Sequence, residues 1–265
     1  MVYSPVIVPK VAEGWVSRQT NLGMSTYDLN ELYSPDTDLW KSTVLDLASP
    51  KYPPQKAANP TQYIFDKSRY NNHGTLIGAT WVQLPSGLWV NDLDGTDDYI
   101  EIPDAASLDI TGKITIKLWV NPTDVAADHA LIDKAVGDNT KRNYYVMISI
   151  TTGALFFNFK DASNVWFSSQ STVAVPTGKY SQVGVTFDEA TDELKFYLNG
   201  ALGETMTSTG AMTANTGSLW VGVNKYTAAA DYMKGKLGLV LIGNGIWNAG
   251  DFLKSYNQER HLFNV

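Results

Sequence analysis

From about residue 62 onward the chain alternates strand-length apolar runs with clusters of turn residues, and that rhythm limits what it can fold into. Ile114-Thr-Ile-Lys-Leu-Trp-Val120 sets Ile114, Ile116, Leu118 and Val120 on one face and Thr115, Lys117 and Trp119 on the other, the period of two of a strand. Runs of similar length recur at 144–150, 155–159, 165–169, 183–187, 194–198, 219–223 and 237–242. Between them stand Thr152-Gly153, Asp161-Ala-Ser-Asn164, Glu189-Ala-Thr-Asp192 and Asn199-Gly200, whose residues tolerate positive φ or bond their own backbone. Short strands at near-regular spacing, almost without helices between them, predict an all-β chain of two packed antiparallel sheets and exclude a parallel α/β fold. One short helix is expected near the end, over 251–262, with Phe252, Leu253 and Tyr256 at helical spacing behind Asn248-Ala-Gly250.

Residues 1–60 read differently. They hold Pro5, Pro9, Pro35, Pro50, Pro53, Pro54 and Pro60, seven of the eleven prolines, and keep no sustained period. A short helix is expected with Ser34 as N-cap, Pro35 at its first position and Leu39, Trp40, Val44 and Leu47 as an apolar stripe. Trp15, Tyr27, Tyr33, Trp40 and Tyr52 are many aromatics for a loose tail, so the stretch reads as an irregular arm that packs on its own domain or on a partner, against the alternative of a ragged terminus. The expected division is an arm over 1–60 and a sandwich over 61–265. As numbered, the N-terminus lacks the basic and apolar regions of a secretory signal, and no run reaches the roughly 18 apolar residues of a membrane span.

Twenty basic against 27 acidic residues leave a net charge of −7, which argues against unassisted nucleic-acid binding, since phosphates are held by surplus Lys and Arg. The absence of cysteine removes disulfides, zinc thiolate sites, iron–sulfur clusters and cysteine nucleophiles. Packing must hold the fold, and 44% hydrophobic residues suffice for a large core.

Five segments in order carry a resemblance. Phe65-Asp66-Lys-Ser68-Arg-Tyr-Asn-Asn72-His73-Gly74-Thr75-Leu76 is followed by Leu93-Asp94-Gly95-Thr-Asp97-Asp98-Tyr99-Ile100-Glu-Ile102-Pro103 and by the strand Ile114 to Val120 with Asn121-Pro122. Val183-Gly-Val-Thr-Phe187-Asp188 with Leu194-Lys-Phe-Tyr197-Leu198-Asn199-Gly200, and then Lys234-Gly235-Lys-Leu-Gly-Leu-Val240 with Tyr256, complete the set. The pattern resembles the laminin G-like, concanavalin A-like lectin-glucanase jelly roll over about residues 62–262. The resemblance implies a two-sheet antiparallel jelly-roll sandwich with the irregular N-terminal arm outside it and a short C-terminal helix. Tyr180 and Gly184 depart from the family's commoner tryptophan and small residue, and the first 60 residues have no counterpart.

Catalytic patterns are missing. Related glucanases resemble this fold and set two carboxylates on one strand face, about 5–5.5 Å apart; here the position sharing a face with Glu101 is Pro103, and Asp188, Glu189, Asp192 and Glu193 fall in a hairpin turn. No nucleophile elbow, Walker loop or dinucleotide fingerprint occurs. His73, His129 and His261 are too far apart for a helical metal pair: His73 reads as part of a structural turn and His129 as a loop residue.

Two constellations are candidates for binding. Asp92, Asp94, Asp97 and Asp98 crowd around Gly95, a loop that offers oxygens to calcium, the cation several family members bind; the alternative is that Asp94 and Asp98 bond backbone amides in a tight turn. For glycans, Trp166 beside Asn164 and Asp161, and Tyr144 with Tyr145 near Arg142, are placed at turns and strand ends where a ring can serve as a platform. A fully covered ring contributes up to about 4–6 kcal/mol before costs. Trp119, Trp220 and Trp247 read as core.

The leading expectation is a non-catalytic binding or adhesion module for glycans or surface proteins, supported by calcium and acting at an extracellular or virion surface. The other is a structural subunit of a virion or surface appendage, such as a phage capsid decoration or tail component, whose arm binds neighbouring copies in a homo-oligomer or a capsid or tail partner.

Overall fold

The computed structural model describes residues 38–47 and 63–265. After a one-turn helix, Asp38–Ser42 (α1), sixteen strands follow. The first six are Thr43–Leu47 (β1), Tyr63–Ile64 (β2), Gly74–Ile77 (β3), Thr80–Gln83 (β4), Trp89–Asp94 (β5) and Tyr99–Ile102 (β6). Next come Lys113–Pro122 (β7), His129–Ala135 (β8), Arg142–Ile148 (β9), Ala154–Lys160 (β10) and Trp166–Ala174 (β11). Ser181–Asp188 (β12), Glu193–Leu198 (β13), Ala201–Thr207 (β14), Leu219–Val221 (β15) and Lys234–Gly243 (β16) precede the helix Ala249–Glu259 (α2) and the 3₁₀ turn Arg260–Phe263.

The strands form two eight-stranded sheets with antiparallel neighbours throughout. The first runs β14-β13-β12-β7-β16-β5-β4, with β1 pairing the second half of β16; the second runs β11-β10-β9-β8-β15-β6-β3-β2. Ile114, Ile116, Leu118 and Val120 of β7 face Tyr144, Val146 and Ile148 of β9 and Leu155, Phe157 and Phe159 of β10 within one continuous core. The alternation in the sequence is therefore the two-sided division of a sandwich. Asn199 (φ 52°) and Gly200 (φ 78°) make the tight β13–β14 turn that needs positive φ at both positions.

Thr115, Lys117 and Trp119 point out of the first sheet but not into solvent, because α2 covers them. Asn248 caps that helix, accepting from the backbone of Gly250 and Asp251 while Asp251 returns the bond. Trp119 stacks on Phe263 with centroids 4.2 Å apart, and Tyr197 stacks on Phe252 at 4.0 Å. Lys117 Nζ donates to both Glu259 oxygens at 2.7 and 2.8 Å, and Trp119 Nε1 donates to Glu259 Oε2 at 2.7 Å, all fully buried. Gly184 lies against the Phe252 ring so closely that a Cβ would overlap it, which accounts for the departure at that position.

One sequence expectation is corrected and part of another lies outside the described residues. Val44 and Leu47 are not on a helical stripe: β1 pairs Thr43–Leu47 with 240–243, and its five residues are all buried, so neither face shows alternation. The rest of the arm, 1–37 and 48–60, with the Ser34 cap and Pro35, falls outside the described residues. Among the described residues no helix is long and apolar enough to cross a membrane.

Candidate functional site

The two outer sheet faces differ. The first is sealed by α2; the second carries a cluster of rings and cations where β9, β10 and β11 meet the 222–233 loop. In β9, Tyr144, Val146 and Ile148 face the core, so Tyr145 faces out. An irregularity in the β8–β9 pairing, between Lys134 and Ala135, lets Arg142 turn outward beside it. In β10, Leu155, Phe157 and Phe159 face in, leaving Asn158 and Lys160 outward, and Lys160 pairs in register with Trp166 of β11.

Arg142 is the hub. Its guanidinium carbon lies 4.1 Å from the Tyr145 ring centroid, 4.6 Å from Tyr226 and 5.6 Å from Trp166. It pairs with Asp133 at two points, Nε to Oδ1 at 2.9 Å and Nη2 to Oδ2 at 3.2 Å, and Nη2 also donates to Asn224 Oδ1 at 2.6 Å. Asp133 further accepts from Lys225 N at 2.8 Å. Burial pushes the Asp133 carboxyl upward, opposed by the adjacent Arg142 charge; burial also pushes the Tyr145 hydroxyl well up, and Asp231 adds to it. Tyr226 donates its hydroxyl to Asn139 O at 2.6 Å and accepts from Asn139 N at its carbonyl, tying the two loops together. Trp166, 43% exposed, meets Tyr226 edge-on at 5.0 Å and leaves ring surface to solvent. Lys160 Nζ lies 4.6 Å from the Trp166 centroid and 5.2 Å from that of Tyr226, and donates to Asn164 Oδ1 at 2.7 Å.

The structure redistributes the expected binding residues. Tyr144 cannot meet a ligand: it is fully buried between the sheets and donates its hydroxyl to Leu108 O. Tyr145 and Arg142 are also buried and form the base of the patch rather than its surface. Asp161 accepts from Val165 N at 2.8 Å, and Asn164, at φ 65°, is the left-handed corner of the same turn. Trp166 alone of the predicted rings is open. Tyr226, Asp133 and Lys160 were not anticipated; for Lys160 a local signal existed, its placement four residues before Asn164 across a tight turn.

The acidic constellation is narrower than expected. Trp89–Asp94 is a strand, so Asp92 stands on it and pairs with Lys236 at 3.4 Å. Carboxylate oxygens of Asp94, Asp97 and Asp98 lie within 4.8 Å of one another, a spacing that could hold a cation. Asp94 Oδ1 also accepts from Thr96 N at 2.7 Å, and Asp98 Oδ2 from Asp94 N at 2.9 Å. Burial, then the neighbouring carboxylates, raise the Asp98 carboxyl against that backbone bond.

Elsewhere a cation is supplied by the chain itself. Lys134, fully buried, places Nζ 2.7 Å from Asp104 Oδ1, 3.0 Å from Asp109 Oδ1, 2.9 Å from Asn215 O and 2.6 Å from Gly217 O. His129, expected in a loop, is buried in β8, with Nε2 2.8 Å from Asp124 O. Trp119 and Trp247 are fully buried, as expected; Trp220 is half-buried.

A family model described as the concanavalin A-like lectin/glucanases superfamily matches residues 94–249. No curated protein matches the chain by sequence. Among solved structures, the binding domain of Paraclostridial Mosquitocidal Protein 1 is 12% identical with a TM-score of 0.62, over 83% of this chain and 53% of that one. The ligand binding domain of botulinum neurotoxin serotype D, solved in complex with N-acetylneuraminic acid, is 14% identical with a TM-score of 0.60, over 82% and 51%. Domain 4 of an extracellular arabinanase from Geobacillus stearothermophilus, in complex with arabinotriose, is 18% identical with a TM-score of 0.56, over 71% and 90%. The chain spans about half the length of the toxin domains it matches. At these identities the likeness is one of fold.

Proposed function

Because this chain belongs to the concanavalin A-like lectin/glucanases superfamily, we propose that it is a non-catalytic binding module that recognises glycans at the outer face of its second sheet. The observation that carries this reading is the half-exposed ring of Trp166 on a buried, bonded base: Arg142 is held by Asp133, Asn224 and three rings. A pre-organised aromatic surface stacks on a sugar's apolar face without first being ordered, so less binding energy is lost. The sugar-bound complexes of the toxin and arabinanase domains support the class of ligand. A binding rather than catalytic role is supported by the carboxylates around the patch, each committed to a neighbour: Asp133 to Arg142, Asp161 to Val165 N, Asp231 to Asn224 and Tyr145.

A glycan array on the full chain tests the reading. Trp166→Ala should remove the hits, a loss of about tenfold or more in affinity, while the melting temperature stays near that of the parent because the ring is largely outside the core. An array silent for the parent chain would overturn it.

A further inference from the structure

We propose that the glycan bound at Trp166 is an extended, uncharged chain, and that Phe156 is the platform for a second sugar ring along it. The inference rests on the patch being the glycan site. In β10 the inward residues are Leu155, Phe157 and Phe159, so Phe156 is set on the outer face; half-buried, it belongs to neither apolar cluster of the described residues. Its neighbours in register are Gln170 of β11 and Met147 of β9, which also stands outward. In β11 Phe167 packs on the core, so Trp166, Ser168 and Gln170 share the outer face with Phe156, and all three are exposed. Four strand positions separate Trp166 from Gln170, roughly 13 Å at about 3.3 Å per residue. That is longer than a single sugar ring. A chain laid along β11 can therefore stack one ring on Trp166 and a later one on Phe156, with the hydroxyls between them facing Ser168 and Gln170. The charges around Trp166 do not favour an acidic ligand: Arg142 and Lys160 stand against Asp133, Asp161 and Asp231, one negative charge in excess. The strip formed by Ser168, Gln170, Phe156 and Met147 carries no charge.

Calorimetry on the full chain tests this with malto-, cello- and arabino-oligosaccharides of up to about six units, stepwise-shortened forms of any array hit, and galacturonate oligomers of matching length. Affinity should rise about tenfold from the shortest neutral sugar to the one that reaches both rings, and then level off. Galacturonate oligomers should bind no more tightly than the neutral series. Phe156→Ala should lower the affinity of long ligands to that of short ones and leave the short ones unchanged. Phe156→Leu, which removes the ring and keeps apolar cover on the sheet, should do the same. A gain with length that survives both variants in folded protein would overturn the proposal, because it would come from the number of units alone. Equal, Trp166-dependent binding of short and long sugars, or tighter binding of the acidic series, would overturn it as well and leave the site standing. No binding of any sugar would overturn the site with it.

Discussion

At the scale of single residues, buried charges set the largest individual energies. Glu259, itself buried, accepts from Lys117 and Trp119, so removing it takes away the buried carboxylate to which both donate. Glu259→Ala should cost about 3–5 kcal/mol, whereas the double change Lys117→Met with Glu259→Leu should recover most of that loss, because an apolar pair needs no desolvation. Chemical denaturation of the three proteins checks this. Asp98 offers a test of opposite sign. Its carboxyl is raised in the folded chain, so the fold holds its proton more tightly than the unfolded chain does. The resulting penalty is present in full above the folded pKa and disappears as pH falls through it toward the ordinary value near 3.8. Asp98→Asn should therefore melt higher than the parent at pH 7 and lose that advantage in acid. Calcium should relieve the same crowding, raising the parent's melting temperature and not the variant's; a parent midpoint indifferent to calcium and to chelator would leave Asp94, Asp97 and Asp98 as turn-formers.

At the scale of elements, what the sequence discloses depends on whether one or both faces of a strand are buried. The core-facing positions of β7 are legible because Ile114, Ile116, Leu118 and Val120 alternate with more polar residues, although Thr115 and Lys117 turn out to be buried under α2. β8 leaves no such trace: His129-Ala-Leu-Ile-Asp-Lys-Ala135 is buried on both sides, with Asp133 and Lys134 paired to charges outside the strand. β1 misreads for the same reason, its five buried residues mimicking a helical stripe, and β5 hides behind aspartates that resemble a loop. The site divides likewise. Trp166 and Asn164 announce themselves through turn chemistry, while Tyr226 reaches the patch only because β15 and β16 place their connecting loop beside β8 and β9. One consequence for the arm follows from β1. A deletion of residues 1–37 spares every described strand, and one of residues 1–55 takes β1 from the edge of β16. The longer deletion should melt lower than the shorter, a difference that calorimetry reads directly.

At the scale of the whole molecule, the sandwich is asymmetric. One sheet is closed by a helix and the other presents its outer face, so recognition and consolidation are assigned to opposite sides of a shared core. The glycan reading predicts that substitutions beneath α2 alter stability and leave sugar affinity unchanged, and that truncating the exposed ring of Trp166 does the reverse. The closing helix also fixes an order of events. Glu259 must meet Lys117 and Trp119, residues made about 140 positions earlier, before the first sheet's outer face is complete. During synthesis that face stays unsealed while the intervening strands emerge, and Glu259 reaches Lys117 only once the helix is free of the ribosome. Final consolidation therefore waits on the helix: a chain interrupted between β16 and residue 259 would carry an uncovered apolar face that chaperones and proteases can recognise.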